Sequence, residues 1–195
     1  MQNYIFNHKS KISRLDRIKN LKQQPMCLWL TGLSGSGKST IAFALEERLF
    51  LDGFFVYVLD GDNLRAGLNK DLSFNDIDRF ESVRRTSEIA KIMVDAGFIV
   101  VVSLISPFKK SRDEARSLFS KGQFFEIFID APLETCIRRD PKNLYAKANK
   151  GVIKDFTGLS SDYENPKNPE LHLLTEKNSV NVCVEEIMSK INFYV

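Results

Sequence analysis

The segment Gly32-Leu33-Ser34-Gly35-Ser36-Gly37-Lys38-Ser39 fills every fixed position of the pattern GxxxxGK[ST]. Glycines let a backbone curl so that successive N–H groups converge on an anion, and a helix beginning just behind adds its positive end. A lysine at the sixth step can reach β- and γ-phosphates, and the hydroxyl after it can hold Mg²⁺. The flanks suit this chemistry. "MCLWLTG" (26–32) reads as a buried strand, and "STIAFALEERLF" (39–50) sets Ile41, Ala44, Leu45 and Leu49 on one helical face. The stretch from Gly32 to Thr40 therefore predicts a nucleoside triphosphate site.

A second set of reactive side chains lies in "LDGDNLRAGLNKDLSFNDIDRFESVRR". Asp60 and Asp62 follow an apolar run, with one glycine between them. A carboxylate at a strand end can take the proton of an attacking hydroxyl or hold Mg²⁺ through water. Arg65 and Arg79 can grip anions through two parallel hydrogen bonds. Arg84 and Arg85 fit an acceptor site or a solvated helix face equally well. No guanine-reading NKxD motif is found, since Asn165-Pro166-Lys167-Asn168 fails it, which argues against a GTPase. The run "VYVLDGD" has a second Asp where a motor ATPase carries Glu, so a hydroxyl acceptor suits it better than activated water.

These residues need elements to hold them. Apolar runs at 26–32, 54–61, 98–106, 124–130 and 170–175 alternate with helical patterns at 39–50, 76–97, 108–120, 132–140 and 180–191. That alternation predicts an α/β fold: a parallel five-stranded sheet with helices on both faces. Ligands of such sheets gather at the carboxyl ends of the strands, where 32–40, 60–65 and 105–108 fall. Residues 141–169 are polar, long and weakly periodic, and are expected to form a mobile lid. Residues 1–21 read as a polar N-terminal arm or short helix, and 22–195 as the catalytic domain.

The chain of 195 residues has 43% hydrophobic and 27% charged residues, the balance of a soluble globular domain. A net charge of +3 gives no warrant for a nucleic-acid partner. No apolar run approaches a membrane span, and the basic start lacks the apolar core of a secretory signal. Cys27, Cys136 and Cys183 are widely spaced, which favours reduced core thiols over disulfides or zinc. The expected location is cytoplasmic.

Taken together, "WLTGLSGSGKSTIA", "LDGDNLRAGLNKDLSF", "DRFESVRR", "ISPF", "RDPKNLYAKA", "IKDFTG" and "YENPKNPELHL" resemble, in order and spacing, the adenylylsulfate kinase (APS kinase) family of P-loop kinases. The resemblance covers about residues 22–175. It implies transfer of the γ-phosphoryl group of ATP to the 3′-hydroxyl of adenosine 5′-phosphosulfate, giving PAPS and ADP with Mg²⁺, in sulfate assimilation. By this resemblance, Gly35 to Thr40 cradle the ATP phosphates, Arg139 faces ATP, and Ser39 binds Mg²⁺. Asp60 or Asp62 orients or deprotonates the 3′-hydroxyl. Asp62, Asn63 and Arg65 bind the acceptor, Arg79 lies near its phosphosulfate, and Lys142 reaches it from the lid. Phe74 and Phe156 sandwich the acceptor adenine. Ser106 occupies the family's phosphoserine position. Direct in-line transfer needs no such intermediate, so Ile105 and Ser106 are expected to line the acceptor pocket instead. The family also implies a homodimer.

The departures from the family pattern fall on the acceptor and lid side. Ser82 stands where the family has an acceptor-contacting Asn, Phe108-Lys109-Lys110 replaces the usual residues after "SP", and the lid segment 142–149 has two fewer positive charges. Two other functions follow from these changes: a 3′-hydroxyl kinase of a related nucleotide with a different anionic 5′ tail, and a nucleotide-binding module without catalysis. Retention of Lys38, Ser39, Asp60 and Asp62 argues against the latter.

Overall fold

The computed structural model describes Phe6 and residues 8–195. Strands β1 (Met26–Thr31), β2 (Val56–Asp60), β3 (Ile99–Ser103), β4 (Phe124–Asp130) and β5 (Leu171–Leu174) form one sheet in the order β2-β3-β1-β4-β5. Every adjacent pair is parallel. The central strand β1 is buried at each position, because both faces are covered and alternate side chains enter different cores. Leu28 and Leu30 pack with Ile41, Leu45 and Leu49 of α2 (Lys38–Leu51) and with Cys183, Val184 and Ile187 of α8 (Val180–Lys190). Cys27 and Trp29 enter the opposite core, against Val83, Ala90 and Val94 of α4 (Asp76–Asp95) and Ala115 of α5 (Lys109–Ser117). Each such leucine contributes about 1.5–3 kcal/mol through burial. The expected parallel five-stranded α/β fold with two helical layers is the fold observed.

Strand register decides what the carboxyl edge presents. Asp60 pairs with Ser103, and Ser103 with Leu30, one residue short of Thr31 and the glycine loop. The run read as a strand over 98–106 stops at Ser103, and Ser106 then takes a positive φ of 41°, outside strand geometry. A short helix α3 (Gly61–Ala66) follows β2, because the Asp60 carboxylate accepts the Asp62 N–H at 3.0 Å and caps it.

Residues 141–169 are more structured than their composition suggests. After α6 (Leu133–Arg139), the Asp140 carboxylate accepts amide hydrogen bonds from Leu144, Tyr145 and Ala146 at 2.8, 3.2 and 3.0 Å and starts α7 (Leu144–Asn149). Tyr145 and Phe156 then meet edge to face at 4.8 Å and close a small core with Ala131 and Cys136. The three cysteines are free and buried.

Of the N-terminal arm, residues 1–5 and 7 lie outside the described residues. Its later part is the helix α1 (Arg14–Leu21), opened by a reciprocal Ser13–Asp16 capping box. Leu21 sits so close to Gly97 that a Cβ there would come within 2.5 Å of its Cδ1. Gln23, fully buried, joins the starts of two strands. Its amide donates to Phe55 O at 3.0 Å and Gly97 O at 2.8 Å, and its carbonyl accepts from Phe55 N at 2.8 Å. Gln23→Ala would orphan these buried backbone groups. A loss of about 2–4 kcal/mol in urea unfolding is expected, and a loss below about 1 kcal/mol would show the amide to be dispensable.

Candidate active site

A cavity of about 680 Å³ opens at the carboxyl edge of the sheet, between the glycine loop, the end of β2, the start of α4 and the 141–169 segment. The loop has its shape because its glycines lie against other backbone. A Cβ on Gly32 (φ +150°) would fall 2.2 Å from Ile129 O in β4, and one on Gly35 (φ +78°) 2.8 Å from Cys136 O in α6. Only glycine lets the loop pass so close to both elements. Ser34, Gly35, Gly37, Lys38, Ser39 and Thr40 line the cavity, while Gly32, Leu33 and Ser36 lie outside its wall. Ser36 is fully buried, and Leu33 packs toward the Tyr145–Phe156 core.

Lys38 is 7% exposed, and its ammonium donates to Leu33 O at 2.7 Å. Burial pulls its pKa down to about 8, opposed by the charges of Asp60 and Asp62. Across the cavity Ser39 Oγ donates to Asp60 Oδ2 at 2.7 Å and lies 3.3 Å from Ser103 Oγ. Asp60 is thus buried, capped onto α3 by one oxygen and facing the loop with the other. Arg139 braces this side, donating to Thr175 Oγ1 at 3.0 Å and Thr175 O at 2.7 Å and approaching the loop carbonyls of Gly35 and Ser36 at 3.4 Å.

The other residues singled out in the sequence surround the far end of the cavity. Asp62, Arg65, Phe74, Arg79, Ser82 and Ile105 line it, as do Ser106, Lys142 and Phe156, whereas Asn63 is exposed on α3 away from the wall. Lys142 forms an ion pair with Asp62 across the mouth. The Arg65 guanidinium lies 4.0 Å above the Phe74 ring and donates to Ser73 O at 2.9 Å, presenting the exposed ring to the opening. Arg79 donates to Ser161 Oγ at 2.7 Å and to Asp155 O, so it holds the lid segment that carries Phe156. Burial pulls the Arg79 guanidinium below its ordinary value, against the neighbouring Asp76 and Asp155. Ser82 accepts a 3.0 Å hydrogen bond from the buried Asn69 amide. Arg84 and Arg85 are elsewhere, paired with Glu81 and, for Arg85, Asp71.

Ser106 is 3% exposed, and its hydroxyl is engaged on both sides. It accepts from the Trp29 indole at 3.1 Å and donates to Thr31 Oγ1 at 3.0 Å. Thr31 in turn donates to Ile105 O at 2.7 Å and lies 2.9 Å from Tyr163 OH, a phenol whose pKa burial pushes up. Thr175, Asn178, Val180 and Cys183 are among the wall residues that the sequence reading did not name. They follow β5 at the same carboxyl edge, and that position was the one available signal. Thr175 Oγ1 ties this wall to the loop through Ser36 O at 2.6 Å.

A glycine loop of this shape at the carboxyl edge of a parallel sheet, with a buried carboxylate beside its serine, is the arrangement of a P-loop kinase. A family model for adenylylsulphate kinase matches residues 24–174, and the chain belongs to that family. An adenylyl-sulfate kinase of Marinobacter nauticus is 50% identical over 97% of this chain and 94% of its own length. One of Clostridium acetobutylicum is 52% identical over 92% of this chain and 90% of its own. The structure of a Mycobacterium tuberculosis APS kinase in complex with AMPPNP and APS superposes with a TM-score of 0.82 at 47% identity, over 86% of this chain and 97% of that one. No described helix is long and apolar enough to cross a membrane.

Asp60→Asn keeps the shape and the α3 cap but removes the carboxylate charge. Turnover should fall by about 10²–10⁴-fold, while ATP affinity, read by calorimetry, stays within about threefold. Unchanged turnover would remove Asp60 from the chemistry.

Proposed function

We infer that the protein transfers the γ-phosphoryl group of ATP to the 3′-hydroxyl of adenosine 5′-phosphosulfate, releasing PAPS and ADP. The observation that carries this reading is Asp60, buried in the cavity wall and hydrogen-bonded to the hydroxyl of the glycine-loop Ser39. Family membership supplies the acceptor.

In this reading the loop amides and the start of α2 receive the ATP phosphates. Lys38 exchanges its Leu33 carbonyl partner for phosphate oxygens, and Arg139 borders the nucleotide. Asp60 takes the proton of the 3′-hydroxyl as the hydroxyl is aligned behind the phosphorus, with Asp62 beside it. The acceptor base enters between Phe74 and Phe156, a stack worth about 1–3 kcal/mol. Arg65, Arg79 and Lys142 serve its charged tail and ribose, with Ser82 and Ile105 forming the floor. For Arg79 and Lys142 this requires a change of partner, from the Asp155 carbonyl and the Asp62 carboxylate to the ligand. Ser106 belongs to the wall and takes no part in the transfer, since its hydroxyl is already committed to Trp29 and Thr31.

Ser39 Oγ and the Asp60 carboxylate, 2.7 Å apart, are hard oxygen donors of the kind Mg²⁺ accepts beside phosphate oxygens and water. When bound, Mg²⁺ would neutralise charge developing on the phosphates. Lid closure over 141–169 would exclude water and limit ATP hydrolysis. Homodimerisation and a cytoplasmic location come with this proposal.

An ADP-release assay across adenosine 5′-phosphosulfate, adenosine 5′-phosphate and nucleotides with other anionic 5′ tails tests the acceptor. The phosphosulfate should lead in kcat/KM by at least about a hundredfold. Another nucleotide in first place would reassign the acceptor.

A further inference from the structure

Arg112 lies outside the cavity and is 2% exposed. Its guanidinium reaches three separate segments: Nε donates to Glu126 Oε1 in β4 at 2.7 Å, Nη1 to Ser106 O at 2.7 Å, and Nη2 to Glu164 O at 2.6 Å. The last two are bonds to backbone carbonyls, one in the acceptor wall and one near the C-terminal end of the lid. The same two segments are also laced directly. Glu164 N donates to Pro107 O at 2.9 Å, and the Glu164 carboxylate accepts from Lys109 N. Ser106 holds a φ of 41°, a strained state for a residue with a side chain, which persists only where its surroundings over-determine it.

We propose that Arg112 is a positioning residue that fixes the Ile105–Ser106 wall and the Tyr163–Glu164 end of the lid to one another, giving the lid a fixed pivot beside the acceptor. The proposal rests on the reading of that wall as the acceptor site. The three bonds need a planar fork. A lysine carries equal charge on a single point and cannot meet three acceptors in those directions. Were Arg112 only a buried partner for Glu126, the two carbonyl bonds would add nothing to binding. Loss of the fork instead frees the Ser106 turn and the lid pivot together, and small displacements of a binding wall cost much in productive alignment.

The test compares Arg112→Lys with Glu126→Gln. Arg112→Lys should raise KM for adenosine 5′-phosphosulfate by about tenfold or more, with ATP affinity within about twofold of the parent. Hydrogen exchange at the Glu164 amide should quicken by about tenfold in the same variant. Glu126→Gln should change that KM by less than about threefold. Equal KM effects in the two variants, or an unchanged KM and unchanged Glu164 exchange in Arg112→Lys, would overturn the proposal. The unsubstituted protein provides a check that does not depend on the variant folding. Its Glu164 amide should exchange at least about tenfold more slowly than those of Ile153 and Lys154, and equal rates would overturn the fixed pivot. If the phosphosulfate is not turned over at all, the acceptor reading fails, and the exchange data still decide the coupling.

Discussion

The site is organised around a positive charge held out of water. Lys38 follows a loop pressed between β4 and α6, at the end of a strand buried on both faces, and among the described residues its ammonium donates only to the Leu33 carbonyl, at 2.7 Å. An ammonium in such a place loses hydration that one carbonyl does not replace, so its proton is held weakly and its pKa falls to about 8. Close approach of the loop to Ile129 and Cys136 creates this situation, and the glycines make the approach possible. The rest of the carboxyl edge serves the same charge. Strand register brings Asp60 level with Ser103 and within reach of Ser39, so an anion and a hydroxyl stand opposite the lysine.

The other cations of the cavity are also occupied by partners within the protein. Arg79 holds the lid at Asp155 and Ser161, Lys142 holds Asp62, and Arg139 holds Thr175. For Arg79 and Arg139 a phosphate or sulfate oxygen can replace these bonds with gain, because a full negative charge accepts from a guanidinium better than a carbonyl or hydroxyl does, whereas Lys142 would exchange one full charge for another. The substrates would therefore bind by exchange of partners. Since Arg79 and Lys142 bond across the cavity to and from the 141–169 segment, such an exchange would couple filling of the cavity to the position of that segment. The Arg112 guanidinium donates to two backbone carbonyls, Ser106 O in the cavity wall and Glu164 O in the 141–169 segment.

The strands were legible because apolar runs buried on both faces have few other interpretations, and the loop because its spacing and flanks agree. Helix α7 was not legible. It rests on the Asp140 carboxylate, three tertiary-like amide bonds that no periodicity records. Phe156 sits between Asp155 and Thr157, and no periodicity records that Tyr145 meets it edge to face and that it is buried while still lining the cavity. Asn63, beside Asp62 in sequence, turns away because a helix sends neighbouring side chains in different directions. Thr175, Asn178 and Val180 come to the site only through the sheet order, which sequence spacing does not state.

Bound nucleotide phosphate should relieve the buried, poorly hydrated ammonium of Lys38. The direct test is the titration of that amine by NMR with lysine-specific labelling, in the free protein and with a non-hydrolysable ATP analogue. The amine should titrate near 8 when free. It should then move well above that on binding, because phosphate favours the charged form, with proton uptake when the nucleotide binds above about pH 8. A free-protein value near the ordinary ~10.4, or no rise on binding, would contradict the account.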